Sequence, residues 1–176
     1  LEKKEVRDQI AFYKANRRTL QYGRFYRNSA PKANKVYWQT VSKDKSVSLS
    51  GAFQTQVDAA EGNDILPLTG LDQQSIYQLE THAQRVFVRR FGALLSHILP
   101  FPINPNGPLL RWIDRLYSLQ DCVETYQASG ETLMQGVHLN NQFIGTGYHK
   151  QIRMLGDFGS SLYVVRSIKD APASNS

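Results

Sequence analysis

The sequence predicts a mainly β fold, an antiparallel β-sandwich preceded by one α-helix. Three observations carry that expectation. Residues 2–22 place apolar groups at helical spacing. Residues 36–41 and 47–57 then switch to β-branched and aromatic residues, the second run alternating with Ser and Gln. From there to residue 168, short apolar runs are separated by turns rich in Gly, Pro, Asn and Asp. With 176 residues, 41% of them apolar, the chain suffices for the core of one ordinary domain.

The helix is read from Val6, Ile10, Tyr13 and Leu20, which form one apolar stripe beside Ala11 and Phe12. Glu2 and Glu5 near its start and Lys14, Arg17 and Arg18 near its end suit the helix dipole, and Gly23 stands where a stop is expected. A helix with one greasy face needs a neighbour to cover it. Because Leu1 is not an initiator, the expectation is the tail of a larger protein, divided just before its last helix.

The strands follow in order. Val36–Val41 and Val47–Val57 form a hairpin across the polar turn Lys43-Asp44-Lys45, and Gly51 is expected to mark a bulge. Residues 58–63 read as a loop. Ile65–Leu68 is a short strand that Pro67 pushes to an edge, Gly70–Asp72 turns, and Ile76–Glu80 and Arg85–Arg89 are further strands. Prolines 100, 102, 105 and 108 keep that stretch extended. Residues 109–126 fit a helix or a strand equally. Ser129 can cap a single turn over Glu131–Met134, Val137–Leu139 is a strand, and Phe158–Arg166 alternates as a closing strand. Residues 169–176 read as a tail.

Composition narrows the function. No apolar run approaches the roughly 18 residues of a membrane span, so no membrane partner is expected. The lone Cys122 cannot pair within the chain, which favours a reducing, cytoplasmic compartment. The net charge of +6 invites a nucleic-acid reading. The cations are spread, however, with only the first third distinctly basic, and a solvated or interdomain surface is the stronger reading.

Motifs for chemistry are few. His82, His97, His138 and His149 lack the i, i+4 spacing of a helical metal pair, so no metal site and no cofactor is assigned. The Asp-Phe-Gly within Gly156–Gly159 lacks every other element of a kinase, and Gly145–Lys150 lacks the ending of a phosphate loop. The acidic residues cannot be paired from sequence into the two carboxylates that glycoside hydrolysis needs, so none is assigned to catalysis. Aromatic stacking leaves Trp38 and Trp112 as candidate sugar contacts, with Tyr37 and Tyr148 behind them. Against this stands the ordinary use of large aromatics in a sandwich core.

Several segments, taken in order, resemble the carboxy-terminal part of glycoside hydrolase family 36. Asp8-Gln9-Ile10-Ala11-Phe12-Tyr13-Lys14, then Leu20-Gln21-Tyr22-Gly23-Arg24-Phe25-Tyr26-Arg27, resemble that family's last barrel helix and the segment after it. Leu68-Thr69-Gly70-Leu71-Asp72 with Tyr77 is similar to its Leu-x-Gly-Leu-Asp turn and following tyrosine. Gly130-Glu131-Thr132-Leu133-Met134 with Gly136 resembles its Gly-x-x-Leu-Met-x-x-Gly segment. Gly156-Asp157-Phe158 through Tyr163 resembles its closing strand. Two departures stand out. Arg24 falls where the family often has Asp, and residues 82–126 are longer than the usual connection, similar to an elaboration in members from lactic-acid bacteria.

The resemblance implies residues 1–23 as the terminal helix of a catalytic (β/α)8 barrel, 24–168 as the sandwich with its elaboration at 82–126, and 169–176 as a tail. It further implies a retaining α-galactosidase acting on terminal α-galactosides such as melibiose and raffinose, its catalytic aspartates lying upstream of Leu1. The chain itself would be inactive, would support the barrel and would contribute to homo-oligomer contacts. An independent carbohydrate-binding module and a basic nucleic-acid-binding β-domain are the alternatives.

Overall fold

The computed structural model describes residues 2–28, 34–57, 64–82, 85–87, 107–108, 112, 118–120, 122–142 and 151–168. Helix α1 spans Glu2–Tyr22. Ten strands follow: β1 Arg24–Asn28, β2 Lys35–Val41, β3 Val47–Gln54, β4 Asp64–Leu66, β5 Ile76–Thr81, β6 Arg85–Phe87, β7 Ser118–Gln120, β8 Thr125–Ser129, β9 Val137–Leu139 and β10 Ser160–Ser167. A one-turn helix α2, Gly130–Met134, separates β8 from β9.

Six strands make one antiparallel sheet in the order β1-β2-β3-β10-β5-β8. The predicted β2–β3 hairpin is present, with Tyr37 opposite Ala52 and Trp38 opposite Gly51. The closing strand β10 inserts between β3 and β5, pairing Leu162 with Gly51 and Val165 with Leu79. Two small antiparallel pairs, β4–β9 and β6–β7, complete the described strands.

Alternation assigns the two faces of the large sheet. Tyr37, Ala52, Tyr77, Leu79, Tyr163 and Val165 point inward. Leu66, Leu68, Leu71, Leu133, Val137 and Leu139, from β4, the following turn, α2 and β9, close over them as the second layer of a sandwich. Burying each such side chain contributes about 1.5–3 kcal/mol. The inner face also carries a polar strip. Gln39, 0% exposed, donates from Nε2 to Ser48 Oγ at 2.8 Å, and its Oε1 accepts from the Thr69 N–H at 2.7 Å and from Asn28 Nδ2 at 3.2 Å. One buried amide thereby ties β1, β2, β3 and the turn after β4 together, with its polar atoms satisfied.

The outer face holds α1. The helix ends where the Gly23 N–H donates to Thr19 O at 2.9 Å, tight against Thr40 and Val41 of β2. Further back, Phe12 stacks on His82 just beyond β5, ring centroids 4.0 Å apart. The side seated on the sheet is not the apolar stripe, in keeping with a stripe that waits for another neighbour. Asn16 and Thr19 are buried and Phe12 is half-buried, whereas Val6, Ile10 and Tyr13 stay exposed. These two faces lie about a third of a turn apart on a helix of 3.6 residues per turn.

Three expectations change. Gly51 marks no bulge, because it pairs in register with both Trp38 and Leu162. A Cβ there would lie 2.6 Å from Trp38 Cε2 and slightly farther from its bonded neighbours Nε1 and Cζ2, which is an approach through the face of the ring. The indole lies flat on the sheet, and only glycine leaves room for it. The closing strand begins at Ser160, since Phe158 has φ +53°, outside strand geometry. Strands β1 and β8 had no counterpart in the sequence reading. The turn Lys43–Lys45, the Ser129 cap and β9 are as expected. Ser129 Oγ accepts from the Thr132 N–H at 3.2 Å. Predictions on residues 58–63, 88–106 and 169–176 lie outside the described residues, as do those on His97, Gly145–Lys150 and most of 109–117.

Gly51→Ala is expected to destabilise the fold by about 1–3 kcal/mol through overpacking against the indole. In a double-mutant cycle with Trp38→Ala, urea unfolding should show a coupling of more than about 0.5 kcal/mol. Additive effects would mean that the indole does not rest on Gly51.

Candidate functional site

The segments that carried the family resemblance meet in space. The Asp72 N–H donates to Tyr77 Oη at 3.0 Å, and that hydroxyl donates to Lys45 O at 2.8 Å. Asp72 Oδ1 accepts from the N–H groups of Gln74 and Ser75, holding a side-chain-stabilised turn. Those hydrogen bonds keep the Asp72 carboxyl below its ordinary pKa. Gly130, opening α2, sits so close to Asp72 O and the Tyr77 ring that no side chain fits, and its N–H donates to Ser75 O at 2.9 Å. The turn 68–72, Tyr77 and the segment 130–136 are thus one packed joint between the two layers. Its chemistry is closure of the sandwich.

A second polar cluster clamps one end of the sandwich. Asp64, at the start of β4, pairs with Lys35 Nζ of β2 through one oxygen and with Arg153 Nη2 through the other at 2.7 Å. Arg153 Nε donates to Asn140 O at 2.6 Å, and the Asn140 N–H donates to the Glu124 carboxylate. The Glu124 backbone is held by Thr81 at the end of β5. All three charged groups of the central trio are buried. Burial alone would raise the Asp64 pKa. The hydrogen bonds and charges of Lys35 and Arg153 outweigh it and hold the carboxyl below its ordinary value.

The other acids of the described turns also serve the backbone. Asp157 Oδ1 accepts from the Val57 N–H at 2.7 Å. Asp44, hydrogen-bonded by Ser42 and Ser46 in the β2–β3 turn, has its pKa lowered to about 2. Among the described residues no cluster of His, Cys, Asp or Glu is arranged to hold a metal ion. His82 is occupied by Phe12, and burial lowers its pKa against the weaker opposing pull of Glu80. Among the described residues no helix is long and apolar enough to cross a membrane.

The aromatic candidates separate. Tyr37 is buried in the core and is withdrawn as a sugar contact. Trp38 is half-buried on the outer face, stacked between Phe25 and Phe53 with ring centroids 6.5 Å and 6.1 Å away. Trp112 is 58% exposed. Tyr148 lies outside the described residues. The structure does not bring Trp38 and Trp112 together with any converging set of polar groups among those described.

This architecture, a six-stranded antiparallel sheet closed by a second layer and tied to it by a buried ion clamp, defines a β-sandwich domain. Comparison with known proteins specifies it further. A model of the glycosyl hydrolase family 36 C-terminal domain matches residues 35–165, and the chain belongs to that family. It is similar to the α-galactosidase AgaA of Geobacillus stearothermophilus, 39% identical over 80 residues, which is 45% of this chain and 11% of AgaA. The crystal structure of AgaA aligns with a TM-score of 0.56 at 25% identity, covering 95% of this chain and 16% of that one. The α-galactosidase structure from Lactobacillus brevis aligns with a TM-score of 0.58 at 22% identity, covering 99% and 18%. Other AgaA structures hold raffinose or stachyose. The chain therefore spans less than a fifth of the length of these relatives.

Asp64→Ala removes the carboxylate that two buried cations share and is expected to cost about 3–5 kcal/mol. Because the folded pKa is depressed, the stability contributed by Asp64 is complete above the unfolded value of 3.8 and is lost as pH falls below it. Urea midpoints measured from pH 7 to 3 should fall more steeply in the parent chain than in Asp64→Ala. Equal slopes would remove Asp64 as the source.

Proposed function

We propose that this chain is the accessory C-terminal domain of an α-galactosidase, a retaining glycoside hydrolase acting on terminal α-galactosides such as melibiose, raffinose and stachyose. The observation that carries the reading is the family match over residues 35–165, joined to relatives that are α-galactosidases about six times longer than the region they share with this chain.

In this reading α1 is the last helix of the catalytic barrel and the sandwich starts at residue 24. The exposed stripe Val6, Ile10 and Tyr13 supports it, since a helix already seated on the sheet by its Asn16 and Thr19 side keeps a second apolar side for another partner. The two carboxylates of the reaction belong to the barrel, and the sandwich holds the barrel's last helix in place. Assembly as a homo-oligomer and a cytoplasmic location complete the proposal, the latter supported by the single buried Cys122.

A second reading, an independent carbohydrate-binding module, draws on the exposed Trp112 and the half-buried Trp38. It requires a sugar-induced change in indole fluorescence that Trp38→Ala or Trp112→Ala abolishes.

Two assays separate these readings. The full-length protein should hydrolyse an aryl α-galactoside, and residues 1–176 alone should show no turnover. Turnover by the isolated chain, or none by the full-length protein, would overturn the accessory-domain reading. Saturable binding of raffinose by the isolated chain would favour the module.

A further inference from the structure

The outer face of the large sheet carries an aromatic surface that its own helix does not cover. Phe25 of β1, Trp38 of β2 and Phe53 of β3 form a diagonal row across three strands, with interplanar angles of 25° and 30°. Trp38 lies flat on Gly51, so its second face points away from the sheet. Phe25 is 63% exposed and Phe53 38%, and Val36 opposite Phe53 is exposed as well.

Phe158 extends the row. Ser160 pairs with Phe53, and two residues before Ser160 and two after Phe53 the Phe158 N–H donates to Thr55 O at 3.2 Å. Phe158 combines two costly features. It holds φ +53°, a strained conformation for a bulky residue, and its ring is 86% exposed. Backbone strain of this kind costs on the order of 1–3 kcal/mol and persists where the surroundings impose it. Here the turn imposes it through the bonds from the Gly159 N–H to Gly156 O and from the Val57 N–H to Asp157 Oδ1, and it leaves the ring largely in solvent.

The location is as informative as the composition. Among the described residues every exposed aromatic side chain except Trp112 lies on α1 or on this face. The row is continuous with the seat of α1, since the same strands β2 and β3 lie under both. Apolar patches of this extent, rich in aromatic rings, mark protein contact rather than a single sugar subsite.

Resting on the accessory-domain reading above, we propose that Phe25, Trp38, Phe53 and Phe158 form the docking surface for the catalytic part of the full-length chain, the same partner that packs round Val6, Ile10 and Tyr13 of α1. The occupant follows from continuity. A body that encloses the free side of α1 must stand over the sheet face on which α1 lies, and the relatives supply such a body in the more than four-fifths of their length that this chain does not span.

Thiol labelling of the full-length protein tests this. With Cys122 and any other reactive cysteine replaced by Ser, Phe25→Cys and Phe158→Cys are compared with Gln127→Cys, an exposed position on β8. A maleimide should react with the first two at least about tenfold more slowly than with the control, and all three should react alike in urea. The protection should be independent of protein concentration and of added raffinose. Labelling at the control rate overturns the proposal, as does protection that appears only with raffinose, which makes the row a sugar platform. Protection that fades on dilution assigns the face to a second copy and overturns it too. Activity on the aryl α-galactoside is read in parallel. An active protein with fast labelling sinks this inference alone, and an inactive protein with slow labelling sinks the accessory-domain reading alone.

Discussion

A sheet with two faces needs two covers, and in this chain the described residues provide one cover in full and the other in part. The inner face of the six-stranded sheet is closed by β4, β9, α2 and the turn 66–71, which bury Tyr37, Tyr77 and Tyr163 almost completely. Among the described residues the outer face receives α1, laid across the strands between β2 and the end of β5. Part of what α1 leaves bare is apolar and aromatic, at the helix stripe and on β1–β3, beside exposed polar groups such as Arg27, Glu80 and Arg166. The asymmetry organises the rest of the molecule. Polar groups that would be hard to tolerate at a contact surface are gathered inside, and greasy groups that would ordinarily be inside are displayed.

Placing polar groups inside creates its own requirement, since each needs a partner. Gln39 meets it by linking four chain segments, and Asp64 meets it by standing between two cations. Both arrangements join the large sheet to its second layer. The hydrophobic core favours collapse of the two layers without fixing their register. Hydrogen-bond geometry is directional, and these two residues accept only one alignment. The buried ion trio contributes less net stability than its short contacts suggest, because desolvation of three charges opposes their attraction.

The family segments acquire a physical meaning from this arrangement. Gly130 faces Asp72 O because the layers touch there, and Tyr77 reaches past the turn to Lys45 O because that carbonyl would otherwise be unpaired at the joint. Each of these residues is held by a contact within the sandwich. They are the residues that a sandwich of this topology cannot exchange freely. That is why segments scattered along the sequence from residue 68 to residue 163 identify the domain.

The sequence by itself determined the local elements. Periodicity located α1, β2, β3, β5, β9 and β10, and cap and turn chemistry located α2 and the β2–β3 turn, because each depends on neighbours within a few residues. Strands β1 and β8 were missed because Arg24–Asn28 and Thr125–Ser129 are edge strands with weak alternation, stabilised by a partner more than by their own residues. The seat of α1 on the sheet was not legible for a related reason. The apolar stripe shows which side of α1 avoids water, but the seated side was decided by Asn16 and Thr19, small enough for the helix to lie close on β2 and β3. Gly51 looked like an irregularity because the indole that needs its space arrives from the facing strand. The insertion of β10 between β3 and β5, the meeting of Lys35, Asp64 and Arg153, and the aromatic row were decided only by the tertiary structure. Each joins residues far apart in the chain, and a linear pattern carries no record of which distant partner lowers the free energy of a buried charge or an exposed ring.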